Sequence, residues 1–288
     1  MKSFNKINNN LLIVNILFIF FPLSFILGNL FINLNIILIC FFSFYLCNLE
    51  IQKFKLNFLD KIITLFFIYT FFVLLINFLE AKINGENFSS FIISKTFLFL
   101  RYYLLYITLR LLMDRDLLKI NWFFFSCSFL VIFVCFDIYF QYFIGKDIFG
   151  FIPVSSFKLS GPFGNELIAG GYIQRFCLFA LFLSFVLNKE KNLHRILIQM
   201  SLAIVFLCAI VLSGNRMSLF IFLFSIVLLF AFDKNLKKNF IATIIVLTLV
   251  LFLLLSYNKN FKTNFLSFYS GTKNLVNFFI KNNISLEE

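Results

Sequence analysis

The chain has 288 residues, of which 61% are hydrophobic and only 13% are charged. Soluble globular domains carry about 25% charged residues, so this composition excludes an ordinary water-soluble protein. The net charge of +12 lies in short gaps between apolar runs, which indicates orientation in a bilayer and argues against nucleic acid as a partner.

The apolar runs have lengths near the 20 or so residues that a membrane-spanning helix needs. Nine of them follow one another, over residues 11–28, 30–49, 58–79, 91–112, 121–143, 166–187, 196–213, 216–232 and 240–257. The pattern predicts an all-α fold, a polytopic transmembrane helical bundle of about nine spans that forms one domain over residues 1–257. Residues 258–288 are polar and are interpreted as the start of a periplasmic loop.

Lysine and arginine are concentrated in every second gap, beginning with the N-terminus. These gaps hold Lys2, Lys6, Lys53, Lys55, Lys61, Arg110, Arg115, Lys119, Lys189, Lys191, Arg195, Lys234, Lys237 and Lys238. The gaps between them hold fewer: Lys82, Lys95, Lys146, Lys158 and Arg216. Because cytoplasmic loops carry the excess of positive charge, the N-terminus is predicted to be cytoplasmic.

Three charged residues fall inside predicted spans: Arg101, Asp137 and Arg175. Each costs about 2.5 kcal/mol or more in a bilayer, so such residues are hypotheses about function by default. All three lie in the outer half of consecutive spans, where they could surround an anion such as a lipid-linked phosphate. In the alternative interpretation, Asp137 pairs with one arginine for structure and the other arginine extends to lipid headgroups. Gln141 follows Asp137 by four residues and therefore lies on the same helix face. It is expected either to form a hydrogen bond at the same site or to contact a neighbouring helix.

Two turns on the predicted outer side add further candidates. In "KLSGPFGNELIAGGY" (158–172), Asn165 is predicted to cap span six and Glu166 to lie in its first turn. Glu166 then either stabilises the helix start or offers a carboxylate at an outward cavity. In "LSGNRMSLF" (212–220), Asn215 is predicted to cap span eight, with Arg216 at its first position. A helix N-terminus together with a guanidinium can bind an anion. In the alternative interpretation, Arg216 points outward and contacts lipid phosphates.

The remaining chemistry-bearing residues give no metal or cofactor signal. The cysteines lie in apolar segments without a C-x-x-C pair, at positions 40, 47, 127, 135, 177 and 208. The single histidine, His194, lies in a predicted cytoplasmic gap. Because no phosphate-binding glycine loop or hydrolase motif is present, the sequence predicts no metal, no nucleotide and no cofactor.

Three segments carry a family resemblance: "DIYFQYFIGKDIFG" (137–150), then residues 158–172 and then residues 212–220. In this order they resemble the O-antigen ligase and O-antigen polymerase family. Its members are multi-pass glycosyltransferases of the bacterial inner membrane that act in lipopolysaccharide and envelope polysaccharide assembly. A turn rich in Gly and Asn opens one helix, and a Gly-x-Arg motif opens a helix two spans later.

The resemblance implies a donor glycan on undecaprenyl pyrophosphate, transferred on the periplasmic side to another glycan or to lipid A–core. It implies a pyrophosphate-binding role for Arg216, which matches the arginine of the Gly-x-Arg motif. Arg101, Arg175, Asp137, Gln141 and Glu166 join it as substrate-binding candidates from their positions in the predicted spans. Family members continue into a large periplasmic loop with a functional histidine, so the chain is expected to be truncated and that histidine to lie beyond residue 288.

Other classes of protein remain open. A transporter or flippase for lipid-linked sugars or organic anions would use the same outer cavity. Alternating access would also place charged residues in the inner half of the membrane, so the outward clustering of the charges favours a one-sided enzyme. An inactive fragment is the third possibility. The motifs do not separate a ligase from a polymerase.

Single cysteines at positions 156 and 236 test the predicted orientation, in a background without the native cysteines. Because residue 156 lies in a predicted outer loop, Ser156→Cys should react with an impermeant maleimide in intact cells. Leu236→Cys lies in a predicted cytoplasmic gap and should react only after permeabilisation. The opposite labelling pattern would refute the orientation.

Overall fold

The computed structural model describes residues 2–46, 56–83, 90–153, 158–187 and 192–232, together with the single positions 249, 252, 256 and 262. Within these ranges the chain forms eight α-helices, which confirms the all-α class. They are α1 (Lys2–Leu27), α2 (Asn29–Leu46), α3 (Phe58–Ile83), α4 (Ser90–Asp114), α5 (Ile120–Ile144), α6 (Ala169–Leu187), α7 (Asn192–Leu212) and α8 (Arg216–Phe232). The predicted ninth segment, residues 240–257, lies outside the described residues apart from three single positions.

The helices belong to two compact units, Met1–Phe123 and Phe124–Glu288. In the first unit, α1 packs on α2 and α2 packs on α4. A cluster of Ile32, Ile36, Ile39 and Leu105 forms the core of this packing. Only Gly28 separates α1 from α2, and its φ of 105° allows the tight reversal that the sequence predicts.

A buried asparagine fastens α1 to the turn between α4 and α5. The Asn15 amide nitrogen donates to the Leu117 carbonyl at 3.1 Å, and its oxygen accepts from the Lys119 N–H at 2.7 Å. Beside it, the rings of Phe18 and Phe123 stack with their centroids 4.2 Å apart. One polar side chain therefore satisfies two backbone groups that the turn would otherwise leave unpaired.

Polar contacts also join α3 to α4. The Tyr106 hydroxyl donates to the Asp60 carboxylate, whose other oxygen accepts from the Asn57 N–H at 2.8 Å. The Arg110 Nε lies 3.6 Å from the Asp60 carboxylate. Asp60 is almost completely buried, so these donors supply the partners that a buried carboxylate requires.

In the second unit, α6 packs on α7 and on α8. Its core includes Ile138, Ile173, Phe206, Leu207 and Phe222, which are all fully buried. The Tyr139 hydroxyl of α5 donates to the Val205 carbonyl of α7 at 2.6 Å.

The outer surface of the helices is apolar. Within the described residues, two segments are long and apolar enough to cross a membrane, Phe58–Glu80 of α3 and Ile120–Ile144 of α5. Only 11% of the most apolar part of α3 is buried in the protein. Its exposed side chains include Leu59, Leu65, Phe66, Phe72 and Ile76. Water does not favour so large an apolar surface on a monomeric protein, so this helix requires an apolar environment or a partner.

At Gly170 the start of α6 approaches the α7–α8 turn so closely that a Cβ there would require neighbouring atoms to shift. A Cβ at Gly170 would lie 2.2 Å from the Ser213 Oγ and 3.0 Å from the Asn215 Cβ. At Gly171 the nearest such atom is 3.7 Å away, which is an ordinary contact.

Gly170→Ala should therefore destabilise the second unit, whereas Gly171→Ala should not. Overpacking costs typically 1–3 kcal/mol, so we expect Gly170→Ala to lower the thermal midpoint of the detergent-solubilised chain by several degrees. Gly171→Ala is the matched control, since the two glycines are adjacent in one helix. Equal midpoints for both variants would contradict the close approach.

Candidate functional site

The loop that follows α5 is folded back on the end of that helix. Gly145 ends α5 with a φ of 84° and donates its N–H to the Gln141 carbonyl at 2.9 Å. Asp147 then closes a turn in which its carboxylate accepts from the Phe151 N–H at 2.5 Å. Its own N–H donates to the Phe151 carbonyl at 3.0 Å. The turn buries Asp147 although its neighbours Lys146 and Ile148 are exposed.

Two side chains of α5 hold this loop. The Ile148 N–H donates to Asp137 Oδ1 at 2.8 Å, and the Gly161 N–H donates to Gln141 Oε1 at 3.0 Å. Both Asp137 and Gln141 are buried, with 0% and 1% of their surfaces exposed. The four-residue spacing places both side chains on one helix face, and each satisfies a backbone amide of the loop.

Gly161 fits against the same helix face. Its φ is 54°, and a Cβ there would lie 3.1 Å from the Ile138 Cγ1 and 3.8 Å from the Asp137 Oδ2. Gly161, Pro162 and Phe163 form a 3-10 helix. Just before it, the Leu159 N–H donates to the Leu212 carbonyl at the end of α7, at 3.3 Å. The loop is therefore tied to α5 and to α7.

The turn between α7 and α8 meets this loop and α6. Asn215 Oδ1 accepts from the Ser218 N–H at 3.3 Å, which confirms Asn215 as the N-cap of α8. Gly214 has a φ of 67°, as the tight turn requires. Because Gly170 lies against Ser213 and Asn215, the N-termini of α6 and α8 are neighbours. The three segments that carry the family resemblance thus meet at one end of the second unit.

The structure brings some of the predicted site residues together and not others. Asp137 and Gln141 contact the same loop, whereas Arg175 is exposed on α6. In the part of the chain that the structure describes, no ion pair joins Asp137 to Arg175. The alternative interpretation, in which Asp137 pairs with an arginine, is therefore not observed for Arg175; the Ile148 N–H donates to Asp137 instead. Arg216 is exposed at the first position of α8, as predicted.

The predicted position of Glu166 in the first turn of a helix is wrong. The helix begins at Ala169, and Glu166 lies in the preceding turn, where its N–H donates to the Phe163 carbonyl at 3.1 Å. Gly164, two residues before Glu166, has a φ of 60°, which is not a helical conformation. Asn165 is therefore not the cap of α6. The Glu166 side chain is exposed beside the α6 N-terminus.

Arg101 belongs to the first unit. Its Nη2 donates to the Tyr102 hydroxyl at 3.1 Å, and its Cζ lies 4.9 Å from the centre of the Tyr102 ring. It contributes to the wall of a cavity between α2 and α4.

Sequence reasoning missed Asp147 and Ser160. Asp147 is 1% exposed and Ser160 is fully buried. The available signal for Asp147 was the "GKDIFG" segment, where an Asp three residues before a Gly is typical of a turn whose side chain accepts a backbone amide. Among the described residues, no group of three or more His, Cys, Asp and Glu side chains is arranged to hold a metal ion.

Comparisons with known protein families, with curated proteins and with solved structures found no significant match for this chain.

Asp137→Ala should release the loop from α5, because the Ile148 N–H would lose its acceptor. A hydrogen bond to a charged group contributes about 1.5–3 kcal/mol, so hydrogen exchange at the Ile148 amide should accelerate about tenfold or more. Asp137→Asn should preserve most of the protection, since the amide oxygen still accepts. Glu166→Ala, which removes an exposed acid of the same loop, is the control. Unchanged exchange in Asp137→Ala would show that the loop is held by other contacts.

Proposed function

We propose that this chain is a multi-pass protein of the bacterial inner membrane and acts as a glycosyltransferase of the O-antigen ligase or polymerase type. It transfers a glycan from undecaprenyl pyrophosphate to lipid A–core or to another glycan on the periplasmic side. In this proposal about nine helices span the membrane and the N-terminus is cytoplasmic.

The distribution of polar and apolar side chains supports the membrane location. Large apolar side chains are exposed along α3, whereas Asn35, Ser43 and Thr108 are buried between helices. In a bilayer, helices associate through small and polar residues rather than through the hydrophobic effect. An apolar exterior with buried hydroxyls and amides is the arrangement that lipid favours.

The observation that supports the proposed activity is that the N-termini of α6 and α8 lie next to each other. Gly170 brings the start of α6 against the start of α8. The N–H groups that point out of a helix start and the helix dipole give both ends a positive potential. Arg216 adds a guanidinium at the start of α8, and Arg175 is exposed on α6. A pyrophosphate is the kind of anion that such a surface binds.

The chemistry assigned to this surface is displacement at the anomeric carbon of the donor sugar. The acceptor hydroxyl oxygen forms the new bond to that carbon, and the bond to the pyrophosphate oxygen breaks with its electron pair. Positive groups stabilise the charge that develops on the leaving pyrophosphate. Glu166, exposed beside the α6 N-terminus, is placed to orient an acceptor hydroxyl or to accept its proton.

Arg216→Ala should lower glycan transfer about 100-fold, because removal of one preorganised donor to developing charge costs about that much. Arg216→Lys should also be impaired, since it loses the two-pronged contact of a guanidinium with phosphate. The assay follows transfer from an undecaprenyl-pyrophosphate-linked glycan in membranes that contain the chain, with equal protein amounts confirmed by immunoblot.

Lys146→Ala is the matched control. It removes an exposed positive charge from the loop after α5, so transfer should remain near the wild-type level. Full transfer by Arg216→Ala would refute the proposed pyrophosphate site. Equal loss in Lys146→Ala would indicate an effect of overall charge instead.

A further inference from the structure

An open cavity at the surface of the first unit lies between α2 and α4. Its volume is about 620 Å³, and its lining includes Ile36, Ile37, Phe41, Phe44, Tyr45 and Arg101. Pockets for single small ligands range over about 300–1,000 Å³. The wall is aliphatic and aromatic, and Arg101 is the charged member of its lining. The volume suits one hydrocarbon chain or one aromatic body.

The guanidinium of Arg101 is only partly satisfied. Nη2 donates to the Tyr102 hydroxyl, and the Tyr102 ring lies against the guanidinium carbon. Nε is buried and has no hydrogen-bond partner within the part of the chain that the structure describes. A buried donor on a cation without an acceptor is costly. An anionic oxygen supplied by a ligand would remove that cost.

The two observations together define the chemistry of a ligand. The apolar wall favours a ligand with a hydrophobic chain. The guanidinium favours an acidic head group on that ligand, because a carboxylate or a phosphate offers a pair of oxygens that matches the N–H groups of arginine. We propose that the α2–α4 cavity binds a single-chain hydrophobic monoanion, a fatty acid or an alkyl phosphate, with its head group on Arg101. The cavity belongs to the first unit, and the proposal does not depend on transfer activity.

Three eight-carbon probes test the proposal: octanoate, octyl phosphate and octanol. Binding to the full chain in phosphatidylcholine nanodiscs is measured by calorimetry, with empty nanodiscs subtracted for partitioning. A charge-assisted contact is worth about tenfold or more in affinity, so at least one anion should bind that much more tightly than octanol. Tighter binding of octanoate would identify a carboxylate ligand, and tighter binding of octyl phosphate would identify a phosphate monoester.

Two variants distinguish the contribution of the ligand's head group from that of its hydrocarbon chain. Arg101→Gln should reduce the affinity for the anions to that for octanol and leave octanol unchanged. Ile37→Trp should weaken all three probes, because Ile37 lies in the wall with 62% of its surface exposed and a larger ring there fills the cavity. Arg115→Gln and Ile62→Trp, which alter exposed residues of the same unit away from the cavity, are the controls and should bind like the wild type.

Octanol binding as tightly as the anions, or anion affinity unaffected by Arg101→Gln, would overturn the proposal and leave only an apolar groove. If Arg101→Gln fails to fold, Ile37→Trp still decides the location of the site, since unchanged anion binding in that variant places the ligand elsewhere. Transfer activity is not needed for any of these measurements, so their result is independent of the proposed function.

Discussion

Polar side chains on the helices supply hydrogen-bond partners to the backbone of the loops between them. Asn15 satisfies a carbonyl and an amide of the α4–α5 turn. Asp137 and Gln141 satisfy two amides of the loop after α5. In each case one side chain on a helix replaces water for a backbone segment that leaves regular structure. An unpaired backbone group in an apolar environment costs several kcal/mol, so these few side chains determine where the loops lie.

Small residues then determine how closely the helices approach. Gly170 allows α6 to reach Ser213 and Asn215, and Gly161 allows the loop to reach Ile138. With larger residues at these positions, the α6 N-terminus and the α8 N-terminus would separate. The candidate anion surface therefore depends on glycine packing as much as on the charged residues that cover it.

The sequence predicted the helices well, because runs of apolar residues broken by polar gaps leave little choice of secondary structure. All eight described helices overlap predicted segments within a few residues at most ends. The N-cap Asn215 was also predictable, since Ser-Gly-Asn before an apolar run is a local signal. The start of α6 was predicted three residues too early, because the turns that follow the 3-10 helix Gly161–Phe163 continue to residue 168 without a signal in the hydropathy.

The candidate site was predictable only in part, for a physical reason. Spacing placed Asp137 and Gln141 on one face, but the identity of their partners depends on tertiary structure. A buried carboxylate can be satisfied equally by a guanidinium or by backbone amides, and sequence does not distinguish them. For the same reason Asp147 and Ser160 were missed, since their burial follows from the way the loop folds back and not from hydropathy.

These contacts change how the three segments at residues 137–150, 158–172 and 212–220 are interpreted. Asp137, Gln141, Gly161, Gly170 and Asn215 each have a role in folding that explains their presence without any substrate. At Arg216, a cation at the first position of a helix is disfavoured by the dipole by about 0.3–1 kcal/mol. The helix dipole therefore does not favour arginine there. The proposed pyrophosphate-binding role of Arg216 would account for a cation at this position, and in the proposed enzyme Asp137 would act indirectly, by positioning the loop after α5.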